Sequence, residues 1–203
     1  MFRVIRDFFG GVREGARSDA IASEEAVVAF IATRAAHVAQ SSLYGYLQKR
    51  MGTRNREIFQ DEAFAGPLAV ARGAMLEHCL SDLVVFAVAT VALPDGGRPE
   101  VASRWYRAAA LVADPEMGED DLERQLSRFG ARLVGTNWQD AAEREGAFTA
   151  SPAGLIAAAP VIDDFKELDA EIVRNSVRFR WTDVRRQFRE RVDRGAFQAS
   201  EVT

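Results

Sequence analysis

The sequence predicts an all-α fold, a single domain of about six helices with a short amphipathic helix in front. Three observations point there. Apolar residues recur at three- and four-residue spacing almost throughout. No Asn-Gly or Asp-Gly pair joins two alternating runs, since Asp95-Gly96 runs on into Gly97-Arg98-Pro99, a loop. The chain has 203 residues, 48% apolar and 28% charged, an ordinary globular mix in a length that suits one core.

Residues 2–14 form the first element. At 100° per residue Phe2, Val4, Ile5, Phe8, Phe9 and Val12 share an arc of about 160°, with Arg3, Arg6, Asp7, Arg13 and Glu14 opposite. Gly10-Gly11 weakens this helix, and a polar linker follows to residue 22. The helical domain spans 23–195. Ser23 is placed to cap a helix running to about Met51, with Glu24 and Glu25 in its first turn and Val27, Ile31, Ala35 and Val38 on one stripe. Gly52-Thr53-Arg54-Asn55 ends it. A short helix at 57–65 leads to Gly66-Pro67, where Pro67 suits the first position of the next helix, 67–93. That helix is the most apolar and should be central. After a turn from Pro94 to Pro99, helices are expected at 100–113 and at 119–145, the latter with breaks at Gly130 and Gly135. Pro152 and Pro160 punctuate the approach to a last helix at 161–193, and 196–203 is a tail.

The last helix changes phase. Val161, Phe165, Leu168 and Ile172 share one face, and Val177, Trp181, Val184, Phe188 and Val192 share another, about 170° away. Either the helix kinks near Asn175-Ser176 or its halves pack on different elements. The second alternative leaves the C-terminal half free for a partner. Residues 174–194 also hold eight Arg against Asp183, Glu190 and Asp193. Candidate partner contacts are therefore Arg178, Arg185 and Arg189, together with Phe2, Arg3, Ile5, Arg6, Phe8 and Phe9. The partner is a protein or an anionic membrane surface. Alternatively, the basic helix pairs within the molecule with the acidic stretch 114–124. Only two of the 26 basic residues are lysine, which with the abundant alanine reads first as the codon bias of a GC-rich bacterial genome.

Net charge is −4 and no nucleic-acid module is present, so nucleic acid is not expected as a partner. Cys79 is the only cysteine, which rules out an internal disulfide and fits a reducing cytoplasm. Residues 1–20 lack the uninterrupted apolar core of a signal peptide, and the apolar run 83–94 is too short to span a bilayer. Phosphate loops, dinucleotide turns and the His-Glu-x-x-His motif are absent. Diiron pairs would need Glu three residues before each histidine, but Arg34 and Met75 stand before His37 and His78. No metal or cofactor is expected.

One polar cluster sits in an apolar setting, Glu77-His78-Cys79-Leu80-Ser81-Asp82. His78 and Asp82 share a helix face. One reading makes them a catalytic pair with Ser81 or Cys79 as nucleophile. The other makes Asp82 a buried structural carboxylate paired with an arginine such as Arg174 or Arg178. Ser41-Ser42-Leu43-Tyr44-Gly45-Tyr46 is a second candidate, offering hydroxyls beside a glycine that could equally mark a bend or a close packing contact.

The stretch Ile172-Val173-Arg174-Asn175-Ser176-Val177-Arg178-Phe179-Arg180, with the later Arg185-Arg186-x-x-Arg189-x-Arg191-Val192-Asp193, resembles the C-terminus of an uncharacterised bacterial helical family. Leu80-Ser81-Asp82-Leu83 is similar to it as well. Some members carry the label "esterase". The resemblance implies an all-helical fold and the hydrolase alternative, and it carries over no site. The leading expectation is a non-enzymatic helical adaptor or accessory protein, cytoplasmic and in reach of the inner membrane face. The alternative is a small hydrolase using Ser81 or Cys79 with His78 and Asp82.

Overall fold

The computed structural model describes residues 20–91 and 97–199. The amphipathic segment 2–14, with Phe2, Arg3, Ile5, Arg6, Phe8 and Phe9, lies outside the described residues, as does most of the turn after Val91. The described chain is all-α, with helices α1 (Glu24–Met51), α2 (Asn55–Gln60), α3 (Glu62–Thr90), α4 (Arg98–Ala113), α5 (Glu119–Val134), α6 (Trp138–Glu143), α7 (Ala150–Ala158), α8 (Asp163–Arg191) and α9 (Arg194–Ala199).

Helix α1 begins where Ser23 accepts a hydrogen bond from the Ala26 amide at 3.3 Å, and Val27, Ile31, Ala35 and Val38 are buried. It stops at Gly52, whose φ of 55° is one that residues with a side chain rarely adopt. Helix α3 starts before Pro67, not at it. Asp61 takes extended backbone and caps the Ala63 amide at 2.9 Å, so Pro67 stands in the second turn. There it forgoes one backbone hydrogen bond on an exposed face, a tolerable loss.

Every residue of α3 from Cys79 to Thr90 is buried, because α1, α4, α6 and α7 all pack on this helix. By length and composition α3 could cross a membrane, but most of its apolar window is enclosed by the bundle. Glu24 and Arg104 tie α1 to α4 through two hydrogen bonds of 2.8 Å. The expected helix at 119–145 divides at Gly135 into α5 and α6, while Gly130 lies within α5. Helix α7 occupies the stretch that the two prolines punctuate. Pro152 falls in its first turn and Pro160 just beyond its C-cap, both places where a helix accepts proline. Residues 194–199, with 196–199 expected as tail, form α9, and Phe197 meets Trp105 at 6.0 Å.

The phase change of the last helix involves no break at Asn175-Ser176. Helix α8 runs through Asn175-Ser176, and one core face, Val173, Val177, Trp181, Val184 and Phe188, packs against α7 and α1. The apolar face of the C-terminal half, from Val177 to Phe188, is therefore taken up by the core. The exposed stripe belongs to the other set: Phe165, Leu168 and Ile172 are 42%, 73% and 70% exposed, and Phe179 extends the stripe at 80%. An aromatic chain fixes the buried half, with Phe188 meeting Phe30 at 5.3 Å and Phe86 at 5.8 Å, and Phe148 meeting Trp181 at 4.9 Å. Beyond α8, Asp193 and Arg191 bracket Ile21 in a short parallel bridge, so residue 20 leaves the bundle at the C-terminal end of α8.

Helices α3 and α7 approach so closely at Gly154 that an added methyl would lie 2.0 Å from Cδ2 of His78. Gly154→Ala should destabilise the fold by about 1–3 kcal/mol through overpacking. His78→Ala should recover part of that loss, giving a coupling of about 1 kcal/mol in a double-mutant cycle followed by urea unfolding. Additive effects would show that the two helices have room to spare.

Candidate functional site

The polar cluster of α3 is a structural junction. Asp82 is 0% exposed. Its Oδ1 accepts from the Ala150 amide at 3.0 Å and pairs with Nη1 of Arg132 at 2.8 Å. Its Oδ2 accepts from the Ser151 amide at 2.8 Å and the Ser151 hydroxyl at 2.5 Å. These four donors use the roughly four acceptor sites of a carboxylate. Two of them are orphan amides at the start of α7, whose own N-cap residue, Thr149, makes no side-chain cap bond. Asp82 thus caps α7 from another helix. Trp181 on α8 donates to the Ser151 hydroxyl at 2.9 Å, and Arg132 donates to Ser81 Oγ at 2.6 Å and the Ala147 carbonyl at 2.5 Å.

Asp82 is thus buried and paired, but its partner is Arg132 rather than Arg174 or Arg178. The latter two stand on the exposed side of α8. Arg132 sits at the border of the buried face of α5, next to Leu133, and fifty residues of separation hid the pairing from the sequence. The four candidate catalytic residues do not form a relay. Among the described residues no hydrogen bond joins His78 to Asp82, and the imidazole packs on Gly154. Burial pushes the Cys79 thiol well above its ordinary range, with the Asp82 charge adding to it, so the sulfur is held as a thiol.

Two of the candidate contact arginines are engaged by the molecule itself. Arg185 donates to the Arg144 carbonyl at 2.7 Å and Arg189 to the Ala142 carbonyl at 2.6 Å. These carbonyls lie at the C-terminal end of α6, where cations are favourable. Both guanidiniums also lie over the Phe86 ring, at 6.0 and 5.3 Å. Arg178 alone of the three is exposed without a described partner. Among the described residues no ion pair joins the acidic stretch to α8. Glu123 bonds Arg107 at 2.5 Å, and Asp121 pairs with Arg124 in its own helix.

The arrangement able to receive another molecule lies between α1 and α8. A cavity of about 350 Å³ is lined by Ser42, Gly45 and Tyr46 of α1 and by Asp169, Val173 and Arg180 of α8, among others. Ser176 and Arg180 also line a second cavity of about 410 Å³ toward Arg34 and Asp183, so the two share a wall. The Ser41–Tyr46 stretch therefore supplies hydroxyls to this space, and Gly45 provides the close contact: a methyl there would lie 3.4 Å from Nη2 of Arg180. Asp169, 5% exposed, is held by two hydrogen bonds from Arg50. Burial, and then the adjacent Asp169 carboxylate, push the Tyr46 phenol up to about 12, so it stays protonated. The sequence flagged α1's share of this site. Arg50, Asp169 and Arg180 were missed because pairing across more than a hundred residues leaves no local signal.

Compared with protein-family models, curated proteins and solved structures, the chain matches none of them.

Removing Asp82 takes the carboxylate from the part-buried Arg132 and leaves two helix amides and the Ser151 hydroxyl without their acceptor, so Asp82→Ala should cost about 3 kcal/mol in chemical unfolding. A melting temperature equal to wild type would contradict the junction. Burial raises the Asp82 carboxyl from its ordinary value, against the pull of Arg132 and the α7 donors. Its folded-state pKa therefore lies above the unfolded value of about 3.9, and the native state keeps a proton the unfolded chain gives up. The stability advantage of wild type over Asp82→Asn should be largest below about pH 4 and shrink as pH rises toward neutrality. An advantage that grows with pH would reverse the sign.

Proposed function

We propose that this protein is a non-enzymatic helical adaptor or accessory protein that binds a protein partner along the outward stripe of α8. The observation that carries the reading is the placement of Phe165, Leu168, Ile172 and Phe179 within an arc of about 60° on the solvent side of a helix that already has its own core face. Large apolar side chains gathered in one exposed patch mark interaction surfaces, whereas scattered ones do not. A stripe along a helix suits the apolar face of a partner helix. The polar junction at Asp82 supports the same reading, since its groups are spent on holding α5, α7 and α8 to α3.

Photo-crosslinkers placed at Leu168 and Phe179 in the native host test this. Both should give the same discrete adduct, and a crosslinker at exposed Arg174 should not. Ile172→Glu should abolish the adduct while changing stability by no more than about 0.5 kcal/mol, as for other exposed substitutions. An adduct twice the mass of the chain would make the partner a second copy. No adduct at either position would contradict the reading.

A further inference from the structure

We infer that the cavity between α1 and α8 is a binding site for a small carboxylate with a short apolar body. Five buried side-chain nitrogens and oxygens lack a hydrogen-bond partner among the described residues, and three of them belong to side chains that line this one cavity: Ser42 Oγ, Tyr46 OH and Arg180 Nε. Ser42 and Tyr46 are only 4% and 8% exposed. A buried polar group without a partner costs free energy, and three at one place mean that the fold tolerates a local penalty where a ligand would remove it.

The chemistry of the three groups selects the ligand. Arg180 Nε can only donate, and both hydroxyls can donate, so the complement is a group of acceptors. The charge balance selects an anion. Asp169 is neutralised by Arg50, which leaves Lys49 and Arg180 as cations facing the space. Apart from Ser176 the rest of the wall is apolar, from Leu155 of α7 to Val173 and Val177 of α8. About 350 Å³ lies at the small end of ligand pockets and suits a carboxylate on a chain of several carbons. This site opens beside the outer stripe and shares Ile172 with it, but its ligand is recognised by α1 and Arg180 and does not depend on the partner reading.

Calorimetric titration of the full chain with octanoate, octyl phosphate and 1-octanol tests the assignment. Octanoate should bind one-to-one, and 1-octanol at least about tenfold more weakly. Arg180→Gln should weaken octanoate by about tenfold and leave 1-octanol unaltered, while Arg174→Gln, the same charge change outside the cavity, should leave octanoate binding intact. Tyr46→Phe should weaken octanoate, because the hydroxyl that would donate to the carboxylate is lost. Equal binding of 1-octanol, tighter binding of octyl phosphate, or no effect of Arg180→Gln would overturn the carboxylate assignment. Unchanged octanoate binding by Tyr46→Phe would overturn the role given to its hydroxyl.

Discussion

A carboxylate at the centre of an apolar helix constrains everything around it. Asp82 lies within the continuously buried half of α3, where a lone charge is prohibitively costly. The bundle meets that cost with four donors, and each donor fixes a neighbour. Arg132 anchors the C-terminal end of α5. The Ala150 and Ser151 amides set where α7 begins. Trp181, through the Ser151 hydroxyl, sets the register of α8 against α7. A short helix with no cap of its own and a long helix with two apolar stripes both take their positions from one side chain.

Those positions shape the surfaces that face other molecules. Helix α7 carries Leu155 into the wall of the cavity, and the register of α8 brings Arg180 over Gly45. The same register turns Trp181 and Phe188 inward and leaves Leu168, Ile172 and Phe179 in solvent. The arginine-rich run then divides by depth. Arg185 and Arg189 close the C-terminal end of α6 and cover the Phe86 ring, Arg180 faces the cavity, and Arg174 and Arg178 point outward.

Local chemistry was legible in the sequence. Ser23 with Glu24 and Glu25 marked the start of α1, and Gly52 its end, because caps act over a few residues. The burial of Asp82 was legible from the Leu83-Val84-Val85-Phe86 run beside it. What needed three dimensions was lost. Periodicity identified the two stripes of α8 but not which one faces inward, since both are apolar and either could pack. The arginines of α8 were expected outside because charge seeks water. Arg185 and Arg189 instead lay their guanidiniums over aromatic rings and donate from them to backbone carbonyls. Helix α7 was hidden by two prolines that sit where helices accept them. Arg132 and Asp169 were invisible because their partners are distant in the chain, and nothing in local composition announces such a pair.

Hydrogen exchange in the Asp82→Asn protein addresses the central claim most directly. The account predicts that amide protection falls first at Ala150 and Ser151 and then through α7 and the facing part of α8, while α1 and α4 keep the protection of wild type. A loss of protection spread evenly over all helices, or none at Ala150 and Ser151, would contradict the claim that this carboxylate holds α7 and, through it, the surfaces of α8.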